Sequence, residues 1–415
     1  MSDLPTPHAA GKRDWRDMFS VAAEQIYRDG GFYDGEVPLP SLQELARARE
    51  GAVTVVTELF PPVSVTRPMP DFLVGPDESF IRHVLENYRH FDGFFSRIAG
   101  SALVRIPKAA IFDNVVFVVH DGDLIPVYEM LRTIDRPVKG REMATRVGRA
   151  GEGTRIAADG SAFLFIGSVG SSNYGHWLVD DLPTVKAMDI IAETTPVTAL
   201  MTRVGGRIDT VRADGAALGR ARSETVGSMF LEPEELVFVD DLHYVTPVSY
   251  HPVLKHPQAL SHLLAICDGR FGMSPAAQRG RKLFVNRSTS HPRHITNGDA
   301  VKSILADHGF EEIFPESLSF AEQRRAFHEA SSVVGIMGAA MTNAVFCPPN
   351  AKILYLAPNG WVEPFYWDLA AMRGQPYNAL FGATVGSCDM IHHASFEVEL
   401  DHLRAWLERA GQGMA

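Results

Sequence analysis

The sequence predicts an α/β fold in which two doubly wound units face one another across a cleft, with a β-rich segment ahead of them. Three observations carry that expectation. From about residue 160, short apolar runs alternate with loops and longer segments of helical spacing, the grammar of βαβ units and a parallel sheet. A second series of the same kind begins near residue 281, and between about 51 and 130 the apolar pattern has strand period instead. At 415 residues and 46% apolar composition, the chain has material for two or three domains with their own cores.

Residues 38–50, PLPSLQELARARE, read as a short amphipathic helix. Strands are expected at Val53–Val56, Ser64–Arg67, Ala102–Ile106, Val115–Val119 and Leu124–Val127, separated by the turn signals Pro61–Pro62, Asp113–Asn114 and Asp121–Gly122. Ala162–Ile166 opens the first βα series. The Gly/Ser loop GSVGSSNYG and the helical stretch HWLVDDLPTVKAMDIIAE follow it, then strands at Val197–Met201 and Leu236–Val239. The Pro- and His-containing stretch Tyr250–Gln258 lies between the two series as a hinge. In the second series, strands are expected at Lys282–Val285, Glu312–Phe314, Ser332–Ile336 and Lys352–Leu356. Helices are expected at Asp299–His308, ended by Gly309, at Ser319–Ala330, where Ser319 and Glu322 have capping-box spacing, and at Ala339–Phe346. An amphipathic helix over Glu397–Arg409 closes the chain.

Composition argues against several classes. Lys and Arg number 39 against 50 Asp and Glu, a net charge of −11, whereas a duplex-binding protein carries a basic excess or stripe. Nucleic acid is therefore not an expected partner. Cys267, Cys347 and Cys388 are odd in number and lack metal-ligand spacing, so neither a disulfide framework nor a zinc site is implied. The opening MSDLPTPHAAGKRDWRDMF has no apolar run after its basic residues, and no stretch approaches the roughly 18 uninterrupted apolar residues of a membrane span. The expectation is a cytoplasmic protein without a transmembrane segment.

In open α/β sheets, ligands bind at loops beyond the carboxyl ends of strands. The first such loop runs from Gly167 through Gly170, Asn173, Tyr174, Gly175, His176 and Trp177 to Asp180 and Asp181. Its glycine spacing and missing Lys exclude both the dinucleotide fingerprint and a Walker loop. If the segment from Gly175 is helical, His176 and Asp180 stand at i, i+4 and share a face. A carboxylate beside an imidazole orients it and raises its basicity, as a general base requires. The competing account is that His176 caps a helix end and Asp180 is a solvated first-turn carboxylate. Pro183 implies a kink or a late helix start.

A second loop follows the strand at 332–336. Gly338, Ala339 and Ala340 let backbone N–H groups approach a phosphate at a helix N-terminus, and Thr342 and Asn343 add side-chain donors. The same small residues could instead serve only helix–sheet packing. Arg287 stands directly after a strand, where its guanidinium can bind two phosphate oxygens, and Arg293, His294 and Asn297 follow. The Asp pairs 180–181 and 240–241 support a metal only weakly, since adjacent residues point different ways.

Together these residues resemble glycosyltransferase family 61, which includes proteins described as capsular polysaccharide biosynthesis proteins. The carriers are NYGHWLVDDLP at 173–183, KLFVNRS at 282–288, GFEEIFPESLSFAEQ at 309–323 and GAAMTNAVFCPPNA at 338–351, within a match from about 100 to 385. The resemblance implies a GT-B architecture: two Rossmann-like domains facing across a cleft. On that pattern residues 1–130 are an extension packing on the first domain, 131–255 the acceptor domain, 256–390 the donor domain, and 391–415 a helix crossing back to the first domain. It also implies inverting transfer from a nucleotide-sugar, usually UDP-linked, to a glycan or polysaccharide acceptor, with no metal or other cofactor required. The setting is cell-surface polysaccharide synthesis on the cytoplasmic side; contact with the inner membrane and homo-oligomerisation stay open.

By resemblance, His176 and Asp180 match the family's catalytic pattern, and Arg287, Gly338, Ala339, Ala340, Thr342 and Asn343 its donor site. Pro315, Glu316 and Gln323 lie where a nucleoside would contact the second domain, and Asn173, Tyr174, Trp177 and Asp181 are acceptor or loop residues. Two departures stand out. The family usually has His-Gly-Ala where this chain has Met337-Gly338-Ala339, and often Asn-Glu where it has Asn297-Gly298. They motivate an alternative, a non-catalytic member that binds a nucleotide-sugar or glycan within a synthesis complex. A nicotinamide-dependent oxidoreductase is disfavoured, because no Gly-x-Gly-x-x-Gly follows any strand.

Overall fold

The computed structural model describes residues 32–33, 37–38, 42–130, 153–203, 218, 220–226, 228–272, 280–287 and 293–412. Strand β1 (Thr54–Phe60) leads through β2 (Phe72–Val74) and helix α1 (Glu78–Phe94) into a meander of β3 (Ser101–Phe112), β4 (Val115–His120) and β5 (Asp123–Pro126). The meander's two connections are two-residue turns. Asp113 and Asn114 have φ of 45° and 65°, and Asp121 and Gly122 have 52° and 87°. Positive φ at both centres gives a turn whose twist matches the flanking strands, and Asp, Asn and Gly tolerate it best.

The first βα series comprises β6 (Thr154–Ile156), β7 (Ala162–Phe165), α2 (Lys186–Ala192), β8 (Val197–Thr202), β9 (Ser228–Leu231) and β10 (Val237–Val245). Helix α3 (Pro257–Phe271) leads to the second series, which opens with β11 (Arg281–Val285), α4 (Gly298–Asp307) and β12 (Glu311–Ile313). It continues through α5 (Phe320–Glu329), β13 (Ala330–Ile336), β14 (Lys352–Pro358), α6 (Pro364–Arg373) and β15 (Asn378–Val385). Strand β16 (Ser395–Glu397) and helix α7 (Leu400–Gln412) end it. The expected capping box at Ser319 and Glu322 is formed.

Among the described residues the first sheet runs β9–β8–β7–β10–β3–β4–β5, with β6 beside β10 and β1 beside β3. The second runs β12–β11–β13–β14–β15–β16, with β2 beside β15. Strands of the two βα series pair in parallel, as the alternating pattern predicted. Both sheets are covered on both faces, which is why their strands are apolar runs rather than alternating ones. Successive residues divide between two cores, as strand geometry requires. In β7, Ala162 and Leu164 face the region between the sheets and Phe163 and Phe165 face outward; in β14, Ile353 and Tyr355 face inward and Leu354 and Leu356 outward. The inward cluster is continuous from one sheet to the other.

Three arrangements differ from expectation. The meander is not an extension laid on the first unit: β3 pairs antiparallel with β10 from Leu103 to Ile111, inside the same sheet as the βα strands. The expected boundary at 130–131 falls at residues 131–152, outside those described. Residues 72–94 belong with the second sheet, since β2 pairs parallel with β15, the Phe80 and Phe381 rings meet edge-on at 5.0 Å and Tyr88 stacks on Trp367 at 4.4 Å. The last helix does not return to the first unit. Leu403, Trp406, Leu407 and Ala410 of α7 share a core with Val301 and Leu305 of α4 and with Phe72, so the second sheet's outer face consumes its apolar stripe.

The join between the units is tightly packed rather than a loose hinge. Val253, Lys255 and His256 are buried. Asp368 of α6 receives Arg67 Nε at 2.5 Å and Lys255 Nζ at 3.3 Å, so one buried carboxylate ties the strap after β1, the connection and α6 together. Among the described residues no helix is long and apolar enough to cross a membrane.

Candidate active site

The carboxyl ends of β7, β11, β12 and β13 carry the residues singled out in the sequence, the position where parallel sheets place ligand loops. After β7 the chain turns through Gly167–Asn173 into helix. Asn173 caps it, its Oδ1 accepting from the Gly175 N–H at 2.8 Å. The helix changes character three times: one α turn at Tyr174–His176, a π turn at Trp177–Asp181 and a 3-10 stretch at Leu182–Val185 before α2. Pro183 has no N–H to donate, and the irregular register accommodates it. This is the kink that Pro183 implied.

Within that helix His176 and Asp180 face each other, with Nδ1 and Oδ2 2.8 Å apart. Ser249, at the end of the first series, donates its hydroxyl to the other oxygen, Asp180 Oδ1. The His176 ring packs edge-on against His251 at 4.7 Å and Phe365 at 5.8 Å. Its side chain and that of Asp180 keep 14% and 15% of their exposure, enough for a small group to reach them. Gly170 makes room: a Cβ there would lie 3.0 Å from His176 Cγ.

Asp181 points the other way. It is buried, accepts from Ser171 Oγ at 2.5 Å, and lies near Arg222, which donates to the Ser171 carbonyl. Burial, opposed by the Ser171 hydrogen bond, pushes its carboxyl up to about 7. Trp177 is fully buried against Phe320 at 5.8 Å. Both side chains are buried in the core, where they hold the loop. The physical reason is helical rotation: positions one residue beyond the His176–Asp180 face turn into the core.

Tyr174 joins the two halves. Its hydroxyl donates to Asn343 Oδ1 at 2.6 Å, and Asn343 Nδ2 donates to Gln323 Oε1 at 2.9 Å. Gln323 is thereby a buried structural link, with Nε2 donating to the Leu318 carbonyl at 3.2 Å. Thr342 and Asn343 are buried, whereas Ala339 and Ala340, in the 3-10 helix Ala339–Phe346, are half-buried. A Cβ on Gly175 would stand 2.6 Å from Thr342 Oγ1, so glycine permits this contact between the two loops. Pro315 and Glu316 form a 3-10 turn beyond β12, beside the strand that carries Arg287.

Arg287 lies across Gly338: a Cβ there would fall 2.1 Å from Nη2. The Asn286 side chain orients the turn, accepting from the Arg287 N–H at 2.9 Å and donating to Glu312 at 2.8 Å. Arg293, which the sequence only placed nearby, proves to be part of the same group. It donates to the Met337 carbonyl, and its guanidinium sits 4.3 Å from the Trp361 ring centre. Burial and the charge of Arg287 pull it down to about 9. Met337 itself is buried, so that position contributes backbone only.

Glu363 was missed by the sequence reading. It caps α6, accepting from the Phe365 N–H at 3.0 Å, and burial raises its pKa against the pull of Lys255, His176 and Arg293. Its only sequence signal is Glu-Pro at a helix start, which reads as a cap. Among the described residues no three His, Cys, Asp or Glu side chains group as metal ligands.

An α/β protein with a His–carboxylate pair on one ligand loop and a guanidinium pair on another has the parts of a group-transfer enzyme. The family model described as Glycosyltransferase 61 matches residues 174–354, from the first residue of the His176 helix into β14, so this part of the chain is similar to that family. No curated protein matches the chain. That similarity supports glycosyl transfer as the class of reaction.

Proposed function

We propose that the protein is an inverting, metal-independent glycosyltransferase that moves a sugar from a nucleotide-sugar, UDP-linked in the first instance, onto a hydroxyl of a glycan or polysaccharide acceptor in a GT-B arrangement. The observation that carries this reading is that the Tyr174–Asn343 hydrogen bond ties the helix bearing the His176–Asp180 pair to the loop of Gly338, against which Arg287 and Arg293 lie. Asp180 holds Nδ1 of His176, which leaves Nε2 as the basic atom facing an acceptor hydroxyl. The deprotonated oxygen attacks the anomeric carbon as the bond to the nucleotide breaks on its far side. Negative charge then grows on the departing diphosphate, where Arg287, Arg293 and the N–H groups beyond Gly338 receive it. Preorganised donors of this kind are worth roughly 10²–10³ in rate each, and a general base about 10²–10⁴.

Screening nucleotide-sugars for UDP release, with and without glycan acceptors and with a chelator present, tests the reading. Release with one donor, unaffected by chelation, supports it. Binding without release under every condition supports the non-catalytic alternative, for which the buried Met337 is the motivating observation. Activity restored only by added manganese would contradict metal independence.

A further inference from the structure

A second group of nitrogen bases borders Arg293, and the chemistry above makes no use of it. His392 and His393 occupy the 3-10 turn Ile391–His393, half-buried, with ring centres 4.3 Å apart. The His392 ring lies 6.2 Å from Trp361, the same ring that packs against the Arg293 guanidinium at 4.3 Å. The two segments are pinned side by side. The Phe396 N–H donates to the His294 carbonyl at 3.1 Å, the Thr296 N–H to the Phe396 carbonyl at 2.8 Å, and Ser395 Oγ meets His294 Nδ1 at 3.0 Å. A turn bearing two imidazoles is thus fixed beside the loop that carries Arg293.

We infer that His392 and His393 complete the diphosphate site as imidazoles that each take up a proton from solvent when the anionic donor binds, an inference that rests on Arg287 and Arg293 holding that diphosphate. Without ligand the rings are neutral near pH 7. Burial, the neighbouring imidazole and Arg293 push His392 down to about 4, and burial, Arg293 and Arg287 push His393 below its ordinary value. Among the described residues His294 faces the same segment through Ser395, and Glu363 and Tyr366, whose ionisation burial disfavours, act on Arg293. A diphosphate reverses the local field, so protonated imidazoles become favourable and the complex holds more protons than the free protein. Affinity therefore rises as pH falls.

Calorimetry with UDP and with inorganic pyrophosphate, in buffers of different ionisation enthalpy, reads the proton uptake directly. The comparison is between the wild-type protein and the double variant His392→Gln, His393→Gln. The expected result is proton uptake in the wild type that the variant lacks. Each imidazole raised to about 7 in the complex is worth about tenfold near pH 6, so the double variant should bind about a hundredfold more weakly there and within about twofold of the wild type near pH 8. The ligands' own titration is common to both proteins and cancels in the ratio. Binding that Arg287→Ala abolishes but whose proton uptake the double variant retains, or which shows none, overturns this inference alone. Absence of any binding that depends on Arg287 overturns the diphosphate site as well.

Discussion

The phenol of Tyr174 donates to Asn343 Oδ1 at 2.6 Å, linking the helix that carries His176 to the 3-10 helix beyond Gly338. Burial raises the Tyr174 pKa well above its ordinary value, so the hydroxyl stays a donor throughout the working pH range. Tyr174→Phe keeps the ring packed on Phe320 and Trp177 but leaves Asn343 Oδ1 without its donor. An unsatisfied buried acceptor costs about 1–3 kcal/mol. Thermal melting should show a folded protein with a melting point lowered by a few degrees, and kcat should fall because the two loops lose their tie.

Asp368 is the only carboxylate among the described residues that touches both Arg67 and Lys255, and all three are buried. Removing its charge leaves Lys255 with the Pro252 carbonyl and Arg67 with the Phe95 carbonyl and the more distant Asp92. Asp368→Asn should destabilise by about 3–5 kcal/mol in urea unfolding, as expected for breaking a buried ion pair by deleting one partner. A loss below about 1 kcal/mol would mean that these charges are better solvated than their burial indicates.

Asp181 makes stability pH-dependent. Its folded-state value of about 7 lies above the ordinary carboxyl value near 4. Between those two values the folded state keeps a proton that the unfolded state has released. Its contribution is therefore complete below about pH 4 and is lost as pH rises through about 7. Asp181→Asn retains an acceptor for Ser171 and removes the titration. Melting curves of the two proteins should diverge from pH 5 to pH 8, with the variant relatively more stable at the alkaline end. Parallel curves would refute the assignment.

Much of the fold was legible because it is local. Runs such as Ala162–Phe165 and Lys352–Pro358 are strand-length, apolar and bounded by turn residues, and the Asp-Asn and Asp-Gly pairs name their turns outright. What stayed hidden depends on partners distant in sequence. Nothing in Phe72–Val74 says that it will pair with β15, and the apolar stripe of α7 is equally suited to either unit. The site divides the same way. The i, i+4 spacing of His176 and Asp180 announced a shared face, and Arg287 followed its strand visibly. Arg293, Glu363 and the His392–His393 pair came into view only when chain segments up to about a hundred residues apart were laid together. For Trp177 and Asp181 the sequence left acceptor contact and loop support open, because neighbours on a helix diverge by about 100° and only the structure shows both turned into the core.

The most direct test of the proposed catalytic roles is a paired measurement of UDP affinity and single-turnover rate in His176→Ala and Arg287→Ala, with the donor that the screen identifies. A base acts on the acceptor and not on the nucleotide. His176→Ala should therefore bind UDP within about twofold of wild type while its rate falls by roughly 10²-fold or more. Arg287 meets the diphosphate in both ground and transition states, so Arg287→Ala should lose affinity and rate together, with Arg287→Lys recovering only part of each. Near wild-type turnover in His176→Ala, or undiminished UDP affinity in Arg287→Ala, would contradict the assignment of these two loops to base and donor.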